Sequence, residues 1–146
     1  MKALTLWQPW ASLIAIGAKR IETRSWPTSY RGPLAIHAAM RFPPAEREFA
    51  KEMAYVYNAL AAEPLPLGAV VATVRLVECV SITKGMADSI ADGVEVDIWN
   101  CYVVDDAEAA LGDFSVGRYA WILSDLVRWT PPVSVPGARG LWDWTP

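Results

Sequence analysis

The stretch from Leu67 to Val80, with Val70, Val71, Thr73, Val74, Val77 and Val80, constrains the fold more than any other part of the chain. Valine and threonine lose side-chain freedom in helices and pack well on a pleated surface, so this is a strand. It is long enough to bend around a barrel. Lys19 to Arg24 reads as a second strand of period two. Arg20, Glu22 and Arg24 fall on one face, Ile21 and Thr23 on the other. That charged face lies where a core should be forming, and it follows directly on Pro9 to Ile16, a short helix. Pro9 suits the first turn, Leu13, Ile14 and Ile16 make the buried side, and Gly17 ends it.

Residues 1–6 alternate weakly as a strand, Pro27 to Gly32 has loop chemistry, and Pro33 to Ala38 leaves it as an apolar strand. Residues 44–61 form the clearest helix, with Phe49, Met53, Val56 and Leu60 at helical spacing, and Glu63-Pro64-Leu65-Pro66 stops it. Gly85 to Gly93 reads as a loop with at most one helical turn. Asp105 to Glu108 is acidic, Gly117 to Leu123 is a strand expected to carry a buried Trp121, and Pro131 to Gly137 interrupts the pattern before Leu141 to Trp144 closes the chain. Several strands with two clear helices give an α+β domain on a small, mostly antiparallel β-barrel with helices at its rim. With 146 residues the chain can bury one core but not two, so a single domain over residues 1–146 is expected.

The net charge of −3 argues against indiscriminate coating of nucleic acid. Its distribution is polarised: Lys2, Lys19, Arg20, Arg24, Arg31 and Arg41 face the single Glu22 within residues 1–41, and the acidic excess lies beyond. A local anion site on an acidic body is the expectation. Cys79 and Cys101, without a CxxC pattern and with His37 as the lone histidine, read as core thiols. No metal or cofactor is expected. No apolar run approaches the roughly 20 residues of a membrane span, and the N-terminus lacks signal-peptide features, so a cytoplasmic protein off the membrane is expected.

Gly17, Lys19, Glu22 and Arg24, placed after a short helix, resemble the hallmark glycine-x-lysine-x-x-glutamate-x-arginine motif of the ASCH (activating signal cointegrator homology) family. Gln8-Pro9-Trp10-Ala11, Trp26, Tyr30-Arg31-Gly32, Leu34 to Ala38 and Gly140-Leu141-Trp142 follow as similar landmarks in the same order. The resemblance implies a PUA-like fold, in a superfamily whose members mostly bind RNA or DNA and some of which hydrolyse an acylated cytosine nucleoside or RNA. In those amidohydrolase-like relatives the position of Glu22 is a threonine, and Glu22 instead matches the cointegrator-like branch.

Two readings of the charged face follow. As a binding module, it holds a single-stranded or flipped-out nucleotide of RNA or single-stranded DNA, or a nucleoside or nucleotide. Lys19, Arg24 and Arg31 would contact phosphate, Trp26 and Tyr30 would stack on bases, and Gln8 would read a base edge. As a hydrolase it uses Lys19, with Glu22 beside it, and Lys19 must then be neutral at pH 7, which burial or neighbouring cations would have to supply. A protein partner on exposed tryptophans is a third reading. His37, without a carboxylate or cysteine neighbour, is expected to be structural rather than an acid or base.

Overall fold

The computed structural model describes residues 1–61 and 64–146, so Glu63 of the expected helix stop lies outside the described residues. In chain order the elements are β1 (Lys2–Leu6), α1 (Trp10–Ala15), β2 (Ile21–Arg24), β3 (Gly32–Ala38), α2 (Pro44–Val56), a 3-10 turn (Asn58–Leu60), β4 (Ala69–Ser81), α3 (Lys84–Ala91), β5 (Val96–Trp99), β6 (Tyr102–Val104), α4 (Asp106–Ala109), β7 (Tyr119–Ser134) and β8 (Leu141–Asp143). The main sheet has the hydrogen-bonding order β2-β7-β4-β3-β1-β8, and β5 pairs with β6. This is the α+β, PUA-like fold expected. No helix among the described residues is long and apolar enough to cross a membrane.

The chain divides into two compact units, the first made of Met1–Ala18, Pro33–Val74 and Asp125–Pro146. Here β1 runs parallel to β3 and antiparallel to β8. Ala3, Ala35, Val70 and Trp144 form a buried cluster with Trp129, Val133, Val135 and Trp142 packed on it. The small alanines of β1 and β3 leave room for the indoles, which is why so many tryptophans fit near the C-terminus. Gly17, at φ 82°, stops α1 by adopting the left-handed conformation that other residues resist. α2 ends at Val56, short of the expected residue 61, and Val56 is exposed. Phe49 on α2 stacks on Trp10 with ring centroids 4.8 Å apart.

The second unit comprises Lys19–Gly32 and Arg75–Ser124. β2 pairs antiparallel with β7, Ile21 opposite Ile122, Glu22 opposite Trp121, Thr23 opposite Ala120 and Arg24 opposite Tyr119. The alternation expected of β2 is therefore present. Ile21 joins Ile82, Ile98, Val104, Phe114, Ala120 and Ile122 in the core of this unit, while Glu22 and Arg24 share their face with Trp121 and Tyr119. Trp121 is fully buried, as expected.

Three local expectations are corrected. Lys84–Ala91 is a helix, not a loop: the Thr83 hydroxyl accepts the Met86 N–H as its cap, and Met86, Ala87 and Ile90 pack on the core. β7 runs through Pro131 and Pro132. β2 pairs only with Tyr119 to Ile122, and beyond it that edge of β7 has no β2 bond for a proline to break. Neither cysteine is buried in the core, since Cys79 is half-buried and Cys101 is exposed. Cys101 sits in the β5–β6 turn at φ 68°, its N–H donating to the Asp97 carboxylate.

Candidate nucleic-acid interface

Lys19 is 2% exposed. Its Nζ donates to the carbonyls of Ile21, at 2.7 Å, and Leu111, at 2.6 Å. The second bond ties the start of β2 to the segment following α4, and further bonds continue the tie. The Asp113 N–H donates to Thr23 Oγ1 at 3.2 Å, and Arg118 Nη2 donates to the Thr23 carbonyl at 3.2 Å. Glu22 is also buried, and its Oε1 accepts the Thr23 N–H at 2.8 Å.

Arg24, Trp26, Tyr30 and Arg31 lie further along, half-buried or exposed. The Arg24 guanidinium lies 5.7 Å from the Trp26 ring centroid, and Trp26 meets Trp121 edge-on at 4.8 Å. Arg24 Nε and Trp121 Nε1 are buried N–H donors with no hydrogen-bond acceptor among the described residues. Arg31 is braced by the carbonyls of Thr28, at 2.8 Å, and Tyr30, at 2.9 Å, and pairs with Glu78. The Cys79 N–H, together with Arg31, holds the Glu78 carboxyl below its ordinary range. Gly32, at φ 134°, allows the turn out of this loop.

Glu108 is the functional-looking residue that sequence reasoning missed. Its Oε1 accepts the Arg20 N–H at 2.6 Å, and its Oε2 is buried without a partner among the described residues. Burial raises its pKa, opposed by the Arg20 N–H and then by the Lys19 charge. The available signal was the spacing Asp105-x-x-Glu108, an N-cap with a glutamate three residues on. Asp105 does cap α4, accepting the Glu108 N–H at 2.9 Å. The Glu108 carboxylate meets Arg20 instead of closing a capping box. The Arg20 guanidinium rests over Tyr102, 4.6 Å from its centroid.

Gln8 belongs to the first unit and is fully buried. Its Nε2 donates to Ser12 Oγ and the Pro66 carbonyl, each at 2.8 Å, and its Oε1 accepts the Ser12 N–H at 3.0 Å. Among the described residues no cluster of three or more His, Cys, Asp or Glu could hold a metal ion.

His37, in the same unit, is 1% exposed. Its Nε2 lies 2.8 Å from the Val135 carbonyl, which can only accept, so Nε2 carries the proton and Nδ1 accepts the Thr5 hydroxyl at 3.2 Å. Trp142 Nε1 in turn donates to Thr5 Oγ1 at 3.1 Å. Burial lowers the His37 pKa from 6.5, only partly offset by the Val135 bond. The unfolded chain thus binds this proton more readily than the folded one, and stability present above pH 6.5 is lost as pH falls towards the lowered folded value. Urea midpoints measured from pH 7 downward should fall more steeply for the wild type than for His37→Gln; parallel profiles would contradict the assignment.

The PUA-like sheet and the Gly17-Lys19-Glu22-Arg24 motif define the class, and the chain belongs to the ASCH domain family, whose profile matches residues 4–110. Activating signal cointegrator 1 of Homo sapiens is 36% identical over 84 residues, a match covering 53% of this chain and 14% of the relative. The protein of the same name from Mus musculus matches to the same extent. The chain therefore aligns with only a small part of these relatives' length.

Proposed function

We propose that this chain is a nucleic-acid-binding module, RNA foremost, that takes a single-stranded or flipped-out nucleotide against Trp26. The observation carrying this reading is the pair of acceptorless N–H groups, Arg24 Nε and Trp121 Nε1, on either side of the Trp26 contacts. A buried donor left unmade costs about 1–3 kcal/mol. A ligand rich in phosphate oxygens would supply the acceptor for Arg24 Nε once Arg24 swings off the indole, whereas Trp121, fully buried, stays beneath. Trp121 braces Trp26 edge-on, which keeps the indole in place for stacking, and Arg31 would contact a phosphate by exchanging its Glu78 pairing for it. In this reading Lys19 and Glu22 shape the site from beneath, because two of the three N–H donors of Lys19 are committed to backbone carbonyls. The hydrolase reading lacks such support.

Binding of short single-stranded RNA, followed by fluorescence anisotropy, should weaken with salt with a slope of about −0.7 per phosphate neutralised. Trp26→Ala should cost roughly 1–3 kcal/mol of affinity, the worth of one stacked base. Affinity that is flat with salt and unchanged in Trp26→Ala would refute the proposal, and salt-insensitive binding of a protein instead would replace it.

A further inference from the structure

A pocket of about 750 Å³ opens in the first unit, with no residue of the motif in its lining. Met40, Val135 and Pro136 are among its apolar lining residues, His37 and Thr5 lie at its edge beneath Gly137, and Arg41 and Arg139 are its charged lining residues. The volume lies within the range of small-molecule sites. Gly137 packs directly on His37 and Thr5 at that edge of the pocket. A Cβ there would stand 2.5 Å from His37 Cε1 and 2.8 Å from Thr5 Oγ1, so only glycine lets this segment lie against these two residues.

The chemistry of the lining selects the occupant. The Trp142–Thr5–His37–Val135 chain pairs both imidazole nitrogens and the threonine hydroxyl within the protein, so neither His37 nor Thr5 offers a ligand a hydrogen bond, and contact falls to the apolar walls. Polar recognition falls to the two exposed arginines, one of which, Arg41, is steadied over Trp7 at 5.7 Å. An apolar interior with two guanidinium groups fits a flat aromatic body carrying an anionic group. We propose that this pocket is a second nucleotide site, holding a base against its apolar walls with the phosphate on Arg41 and Arg139. The choice of a nucleotide over another aromatic anion rests on the nucleic-acid reading above.

The experiment titrates the protein with AMP, GMP, CMP and UMP and with the matching nucleosides, following backbone amide shifts by NMR. At least one nucleotide should perturb His37, Gly68 and Gly137 and bind at least tenfold tighter than its nucleoside. Arg139→Ala and Arg41→Ala, both at exposed positions, should each remove most of that advantage, and Trp26→Ala should leave it intact. Nucleosides binding as well as nucleotides, tighter binding of indole-3-acetate than of any nucleotide, or shifts absent from these residues would each overturn the proposal. If no mononucleotide binds while Trp26→Ala still weakens RNA binding, the pocket proposal fails and the nucleic-acid reading stands.

Discussion

Lys19→Met is expected to lower the stability of the chain by about 3–5 kcal/mol, read as a fall in the urea midpoint. Methionine keeps the aliphatic stem and nearly the same volume, so packing changes little. What disappears is the ammonium that satisfies the Ile21 and Leu111 carbonyls. Each buried acceptor left without a donor costs roughly 1–3 kcal/mol. Glu108 also loses the Lys19 charge that opposes its burial, so its carboxyl moves further towards the protonated form. Against a typical total of about 5–15 kcal/mol this is a large fraction. Arginine should not rescue fully, because a planar guanidinium cannot place its donors where the compact ammonium meets the Ile21 and Leu111 carbonyls. A midpoint shift worth under about 1 kcal/mol in Lys19→Met would show that the lysine is free for another task.

Gln8→Leu should cost roughly 2–4 kcal/mol by the same logic applied at a helix start. Pro9, the N-cap of α1, has no side chain able to accept a helix N–H, and Gln8 Oε1 takes the Ser12 N–H in its place. The substitution also strands the Pro66 carbonyl, which the Gln8 amide now satisfies. Hydrogen exchange localises the effect: the Ser12 amide should lose protection before the strands do. Unchanged protection at Ser12 would mean that α1 is capped in another way.

Lys19 and Gln8 mark the limit of what their residue types reveal. A lysine and a glutamine beside aromatics read as ligand contacts, and the motif spacing gave no sign that their hydrogen bonds close on Leu111 and Pro66, residues far away in the chain. That Arg24, Trp26, Tyr30 and Arg31 lie close along the chain was legible, because they are local to one strand and its following loop. Their unmatched donors were not legible, since Trp121 comes from β7 and its place opposite Glu22 is a matter of register. β5, β6 and the helix α3 escaped notice because short segments carry too few residues to display a period.

The sequence by itself determined the strand alternation of β2, the long run that became β4, the burial of Trp121 and membership of the ASCH family, because each depends on residue type at short spacing. Only the tertiary structure decided which charges are structural, where the acceptorless donors lie and that His37 and Gly137 line a pocket. Those properties belong to pairs of residues distant along the chain, and a polar group's role is set by whether the fold supplies its partner.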